Sequence, residues 1–157
     1  MNSPAFSLII PAAGAGRRMG TDIPKPYLFL NGKTVLERTL SCFSGLDTLT
    51  QVVVSTSENY AEQTEEILSR LFEEVDTQVV MGGRRRQDSI FNALQEVSDT
   101  AEYVAVHDAV RPFISQKIIS ECLSKSEAAG AAITGVPVKD TIKRVSADGI
   151  IIESPDR

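Results

Sequence analysis

The chain has 157 residues, 42% hydrophobic and 24% charged, with a formal net charge of −5 at pH 7. That is ordinary globular usage at a length favouring one domain over residues 1–157, and it excludes a disordered chain. With 16 Lys and Arg against 21 Asp and Glu, the balance argues against a nucleic-acid partner, although Arg84-Arg85-Arg86 invites one.

The first predicted element is a strand over Ser7–Pro11, which runs into Ala12-Ala13-Gly14-Ala15-Gly16-Arg17-Arg18 and on to Lys25 and Tyr27. Small residues let backbone N–H groups approach phosphate oxygens, and Arg17, Arg18 and Lys25 bring fixed positive charge, so the run reads as a polyphosphate site. Two commoner glycine motifs fail. The dinucleotide fingerprint has Met19 at its third glycine position, and a P-loop ending at Gly32-Lys33-Thr34 needs a glycine where Tyr27 stands. Asn31-Gly32 is more simply a tight turn. A plain strand-to-helix loop with solvated arginines is the bland alternative, and Arg18 and Lys25 together weigh against it.

Further strands are predicted at Gln51–Ser55, Gln78–Met81, Tyr103–His107 and Ala131–Val136, all short apolar or β-branched runs of the buried parallel kind. Helices fall between them, with apolar faces at Leu36, Leu40 and Phe43; Thr64, Ile67, Leu68, Leu71 and Phe72; Ile90, Ala93, Leu94 and Val97; and Ile119, Cys122 and Leu123. This alternation predicts an α/β fold, a three-layer α/β/α sandwich around a mostly parallel, Rossmann-like sheet. Cys42 and Cys122 lie in apolar settings and read as reduced thiols, and a single histidine argues against zinc.

Ligands of open α/β sheets bind beyond the carboxyl ends of the strands, so Ala12–Arg18, Gly82–Ser89 and Asp108–Arg111 should converge. Ser89 reads either as a helix cap or as a nucleotide contact, and Gly82 and Gly83, which can bring backbone groups beside it, favour the second. The arginines after Gly82-Gly83 fit a solvated face and a phosphate contact equally. His107 is better read as a satisfied strand-end residue than as a general base, which leaves Asp108 and Arg111 as the stronger candidates.

After Val138 the alternation stops. Thr141–Val145 and Ile150–Glu153 bracket Ala147-Asp148-Gly149, a hairpin signal, and such a ribbon must pack on its own domain or on another chain. No run approaches the roughly 20 apolar residues that cross a bilayer. The first ten residues also lack the Lys or Arg that starts a signal peptide, so no membrane partner and a cytoplasmic chain are expected.

Five segments occur together and in order: Pro11 to Met19, Pro24-Lys25, Gly82 to Ser89, His107 to Pro112 and Pro137 to Lys143. In them the chain resembles the 2-C-methyl-D-erythritol 4-phosphate cytidylyltransferases of the non-mevalonate isoprenoid pathway. The resemblance implies a nucleotide-diphospho-sugar transferase type of fold and transfer of a cytidylyl group from CTP to methylerythritol phosphate. By it, Arg18 and Lys25 stabilise the transition state. Ala12, Ala13, Gly14, Ala15, Gly16, Gly82, Gly83, Arg86 and Ser89 hold the nucleotide, and Asp108, Ala109, Arg111, Thr141 and Arg157 meet the acceptor.

It further implies Mg²⁺ carried mainly by the CTP phosphates, with no protein metal ligand, and a homodimer formed through an arm over residues 137–157. Members of that family continue past Arg157 into another strand and a late lysine, so little turnover is expected of these 157 residues alone. Two alternatives stand beside this reading. One is a cytidylyltransferase for another polyol phosphate such as ribitol 5-phosphate; the other is a CTP-binding module without turnover.

Overall fold

The computed structural model describes residues 4–14 and 23–156. Strand β1 (Phe6–Pro11) occupies the middle of a four-stranded parallel sheet, between β4 (Leu49–Thr56) and β6 (Tyr103–Val106), and β5 (Asp76–Met81) lies outside β4. Because successive residues of a strand face opposite ways, β1 builds two cores. Phe6, Leu8 and Ile10 pack with Leu36, Leu40, Ile67, Leu68, Ile119 and Leu123, which come from α1 (Val35–Ser41), α2 (Ala61–Leu71) and α4 (Gln116–Ala129). Ile9 faces the other side, where Val53 and Ala93 of α3 (Arg86–Leu94) complete a much smaller core. The predicted three-layer sandwich is therefore present, with three α-helices of the described residues on one face and one on the other.

The narrow second core corrects one helical face. Leu94 is 44% exposed: the core on this face consists of Ile9, Val53 and Ala93 with Val80 and Val97 packed against them, and Leu94 lies outside it. Between β1 and α1 a small hairpin pairs β2 (Phe29–Leu30) with β3 (Lys33–Thr34). Its turn is the expected Asn31-Gly32, with φ of 52° and 81°, the left-handed pair that matches the twist of a two-residue hairpin.

The predicted strand over Ala131–Val136 does not form. α4 ends at Gly130, and the run beyond it is extended without ladder bonds, leaving Ile133 94% and Val136 88% exposed. A cleft of about 500 Å³ is bounded by β6, α4 and residues 130–134. Apolar, β-branched sequence favours a strand only where a neighbour pairs with it, and none of the described residues does. The later hairpin is observed, shorter than expected: β7 (Arg144–Val145) pairs antiparallel with β8 (Ile151–Glu153) around a turn at Gly149, φ 78°. All five residues of the two strands are exposed. Among the described residues, no helix is long and apolar enough to cross a membrane.

Candidate active site

The carboxyl ends of β1, β5 and β6 open on one cavity of about 720 Å³. The first wall follows β1, where Ala12 donates its N–H to the Ser55 carbonyl at 2.7 Å, extending the ladder by one residue before Ala13 and Gly14 turn along the cavity. The next wall follows β5. Gly82 donates its N–H to the Thr56 carbonyl at 2.8 Å, and a Cβ on Gly82 would fall 2.1 Å from the Cβ of Ala13, so the two loops touch where only hydrogen fits.

Gly83 and Ser89 complete that wall. Ser89 is not the helix cap: it is buried in the first turn of α3, where its hydroxyl accepts the Gly83 N–H at 3.0 Å and donates to the Arg85 carbonyl at 3.3 Å. The capping role belongs to Asp88, three residues into the helix, whose carboxylate accepts the Arg85 backbone N–H at 3.0 Å. Ser89 instead holds the glycine loop against the helix and lines the cavity.

The three consecutive arginines separate by partner. Arg85 forks onto Asp88, with Nη2 at 2.8 Å from Oδ1. Arg86 reaches across to the loop after β6, where Nε and Nη2 lie 3.1 and 2.7 Å from Asp108 Oδ1. Arg111 Nε takes the other oxygen of Asp108 at 2.9 Å. Burial works to raise the Asp108 carboxyl, but the hydrogen bond and charge of Arg86, with the charges of Arg111 and His107, hold it below the usual carboxylate value.

Arg84 also lines the cavity and has no carboxylate partner among the described residues; the same is true of Lys25, opposite it on the Lys25–Tyr27 turn. Among the described residues the cavity therefore offers two cations without a carboxylate partner and one pre-paired acid, a balance suited to an anionic ligand.

Ala109 is buried at the cavity floor, and its carbonyl accepts the Thr39 hydroxyl at 2.9 Å. His107 sits beneath the same loop with Nε2 3.1 Å from the Arg111 carbonyl and its ring edge-on to Phe43, a structural tie. Arg111 stands behind Asp108, outside the cavity lining, and Thr141 lies on the exposed approach to the hairpin, away from that lining. Ala15, Gly16, Arg17, Arg18 and Arg157 fall outside the described residues.

The described residues do not build a magnesium site. No group of three or more His, Cys, Asp or Glu side chains comes together among them, and both oxygens of Asp108, the one carboxylate among the described residues that line the cavity, already face arginines.

Two features around the cavity leave no mark in the sequence. Arg84 was visible inside the arginine run, yet nothing in sequence separates it from Arg85 and Arg86, whose partners are 3 and 22 residues away. Tyr27 carried no signal, because its partners Thr56 and Thr64 come from β4 and α2.

A family model described as 2-C-methyl-D-erythritol 4-phosphate cytidylyltransferase matches residues 6–157. A protein of that name from Bacillus mycoides is 41% identical over 152 residues, covering 97% of this chain and 66% of its own. One from Symbiobacterium thermophilum is 40% identical over 151 residues, covering 96% and 62%. Among solved structures, a 4-diphosphocytidyl-2C-methyl-D-erythritol synthase from Anaerococcus prevotii superposes with a TM-score of 0.84 at 25% identity, over 98% of this chain and 65% of that one. The chain thus spans a little under two thirds of the length of the relatives it matches.

Proposed function

The chain belongs to the 2-C-methyl-D-erythritol 4-phosphate cytidylyltransferase family, and on that premise we propose that its cavity binds CTP and serves cytidylyl transfer to 2-C-methyl-D-erythritol 4-phosphate. The observation that carries this reading is the convergence of Ala12–Gly14, Lys25, Gly83 and Ser89 on one cavity at the carboxyl ends of the parallel strands. An oxygen of the acceptor's phosphate attacks the α-phosphorus of CTP, a new P–O bond forms, the bond to the β-phosphate breaks, and pyrophosphate leaves. The acceptor phosphate is already anionic, so no strong base is required, and catalysis rests on alignment and on positive charge where negative charge develops.

Each described residue has a place in that scheme. Lys25, without a carboxylate partner among the described residues, stabilises the α-phosphate as it becomes crowded with charge. The Gly82-Gly83 loop and Ser89 hold the base against the wall of α3. Asp108 keeps a lone pair for an acceptor hydroxyl because the arginines on its two oxygens leave its capacity incomplete. Magnesium arrives as part of the substrate, on the nucleotide's phosphates. The exposed hairpin supports a homodimer built through the 137–157 arm, and the substrates together with the absence of a membrane-crossing helix among the described residues support a cytoplasmic enzyme.

The test pairs CTP calorimetry with a pyrophosphate-release assay on the same sample. Binding of CTP in preference to UTP, ATP and GTP, with release that needs methylerythritol phosphate, is the expected result. Selective binding without release overturns the turnover part, and comparable affinity for all four nucleotides overturns the cytidylyl part.

A further inference from the structure

Lys25 sits on a single 3-10 turn held locally by two bonds: Tyr27 N–H to the Pro24 carbonyl at 2.9 Å and Leu28 N–H to the Lys25 carbonyl at 3.3 Å. Three residues of this geometry do not fix the direction of a long side chain by themselves. What ties the turn to the sheet is the next side chain but one. Tyr27 is 2% exposed and its ring stacks on Tyr60 with centroids 4.1 Å apart and planes 16° apart. Its hydroxyl lies between Thr56 Oγ1 and Thr64 Oγ1, the latter at 2.8 Å.

The proton order in this cluster follows from counting donors. A carbonyl only accepts, so the Thr64 hydroxyl gives its single proton to the Tyr60 carbonyl at 2.7 Å. Tyr27 must then donate to Thr64, and Thr56 to Tyr27. Thr56 also uses its main chain, because its carbonyl takes the Gly82 N–H. One residue at the end of β4 therefore holds the lysine-bearing turn with its side chain and the glycine loop with its backbone.

We propose that Tyr27 is the positioning residue of Lys25: its hydroxyl, fixed by Thr56 and Thr64, sets where the ammonium stands against the phosphates of the nucleotide. This rests on the cytidylyl-transfer reading of the cavity. Loss of the hydroxyl leaves the base pocket in place and loosens the turn, so it acts on turnover more than on CTP affinity.

The experiment is a double-mutant cycle of Tyr27→Phe and Lys25→Ala, read by CTP calorimetry and pyrophosphate release. Tyr27→Phe keeps the ring and its stack. It is expected to leave CTP affinity within about twofold and to lower turnover roughly 10- to 100-fold, the cost of a small misplacement. Added to Lys25→Ala, it has no further effect. An equal loss in both backgrounds, or no loss at all, overturns the proposal, since a merely structural tyrosine acts independently of Lys25.

A second readout needs no turnover. In ¹³C NMR of the reductively methylated protein, CTP shifts the Lys25 signal, assigned by its absence in Lys25→Gln, and that shift collapses in Tyr27→Phe at saturating CTP. An unchanged shift in Tyr27→Phe overturns the positioning role alone. The absence of any shift in the unsubstituted protein overturns the placing of Lys25 at the nucleotide, and with it the proposal.

Discussion

A Cβ on Gly82 would lie 2.1 Å from the Cβ of Ala13, far inside van der Waals contact, with the Ser89 hydroxyl at 3.2 Å and the Thr56 carbonyl at 3.4 Å. The loops after β1 and β5 are thus in register only while residue 82 has no side chain. Gly82→Ala must push them apart, at a cost of about 1–3 kcal/mol as in other overpacked sites. Urea unfolding and CTP calorimetry should show both lower stability and weaker binding. Gly14 is the control: a Cβ there meets nothing within 4 Å among the described residues, and its φ is not left-handed. Gly14→Ala is expected to leave stability within about 0.5 kcal/mol, so any loss of CTP affinity it causes reports a close approach of ligand to backbone.

Asp108 gives a pH prediction with a definite sign. Its carboxyl is held below the ordinary value of 3.8 by Arg86 and Arg111, against the opposing effect of burial. A depressed acid contributes stability that is fully present above the unfolded value and is lost as pH falls through the folded one. Relative to Asp108→Asn, the unsubstituted protein should therefore be more stable at neutral pH, and the two curves should converge below about pH 4. Parallel curves down to acid unfolding would show that the ion pairs contribute nothing to folding.

How far the sequence revealed this arrangement depends on the range of the interactions. The four strands of the central sheet were legible because each is a short apolar run. The convergence of three loops followed from strand direction alone, and Ala12, Ala13, Gly14, Lys25, Gly83, Arg86, Ser89, Asp108 and Ala109 all line the cavity. Ala131–Val136 misled because its composition suits a strand while the deciding factor, a paired neighbour, is not local. Arg86 and Asp108 are 22 residues apart, and Tyr27 and Thr64 are 37 apart, so neither link leaves a spacing pattern.

Tyr27 contributes to the loss of stability at alkaline pH. Burial pushes its hydroxyl above the ordinary value of 10.0, and the bonds with Thr56 and Thr64 offset that only in part. The folded protein therefore holds this proton more tightly than the unfolded chain. The associated stability is complete below pH 10 and falls as pH rises toward the folded value, at up to about 1.4 kcal/mol per pH unit. Tyr27→Phe should be less stable at neutral pH by about 1 kcal/mol, since it strands the Thr56 donor, and should lack this contribution to the alkaline decline. Chemical unfolding at a series of pH values from neutral to 11 checks both. An unchanged alkaline slope in the variant would mean that other groups set it.

The hairpin carries the last prediction. Ile150, Ile151 and Ile152 are 66%, 58% and 58% exposed, and because neighbouring residues of a strand point opposite ways, both faces of the ribbon present apolar surface. A two-stranded ribbon of this length is marginal in water, and its cross-strand ion pair, Arg144 to Glu153 at 2.8 Å, is solvent-exposed and contributes little. The ribbon is stabilised if a second copy covers it, and a stable contact of that kind needs about 800 Å² from each partner. Light scattering should give twice the chain mass at micromolar concentration. Ile151→Asp, a change at an exposed position with at most a few tenths of a kcal/mol effect on the isolated chain, should return the mass to that of one chain while leaving the far-UV spectrum intact. A monomer at every concentration in the unsubstituted protein, or a dimer that survives Ile151→Asp, would remove the hairpin from the interface.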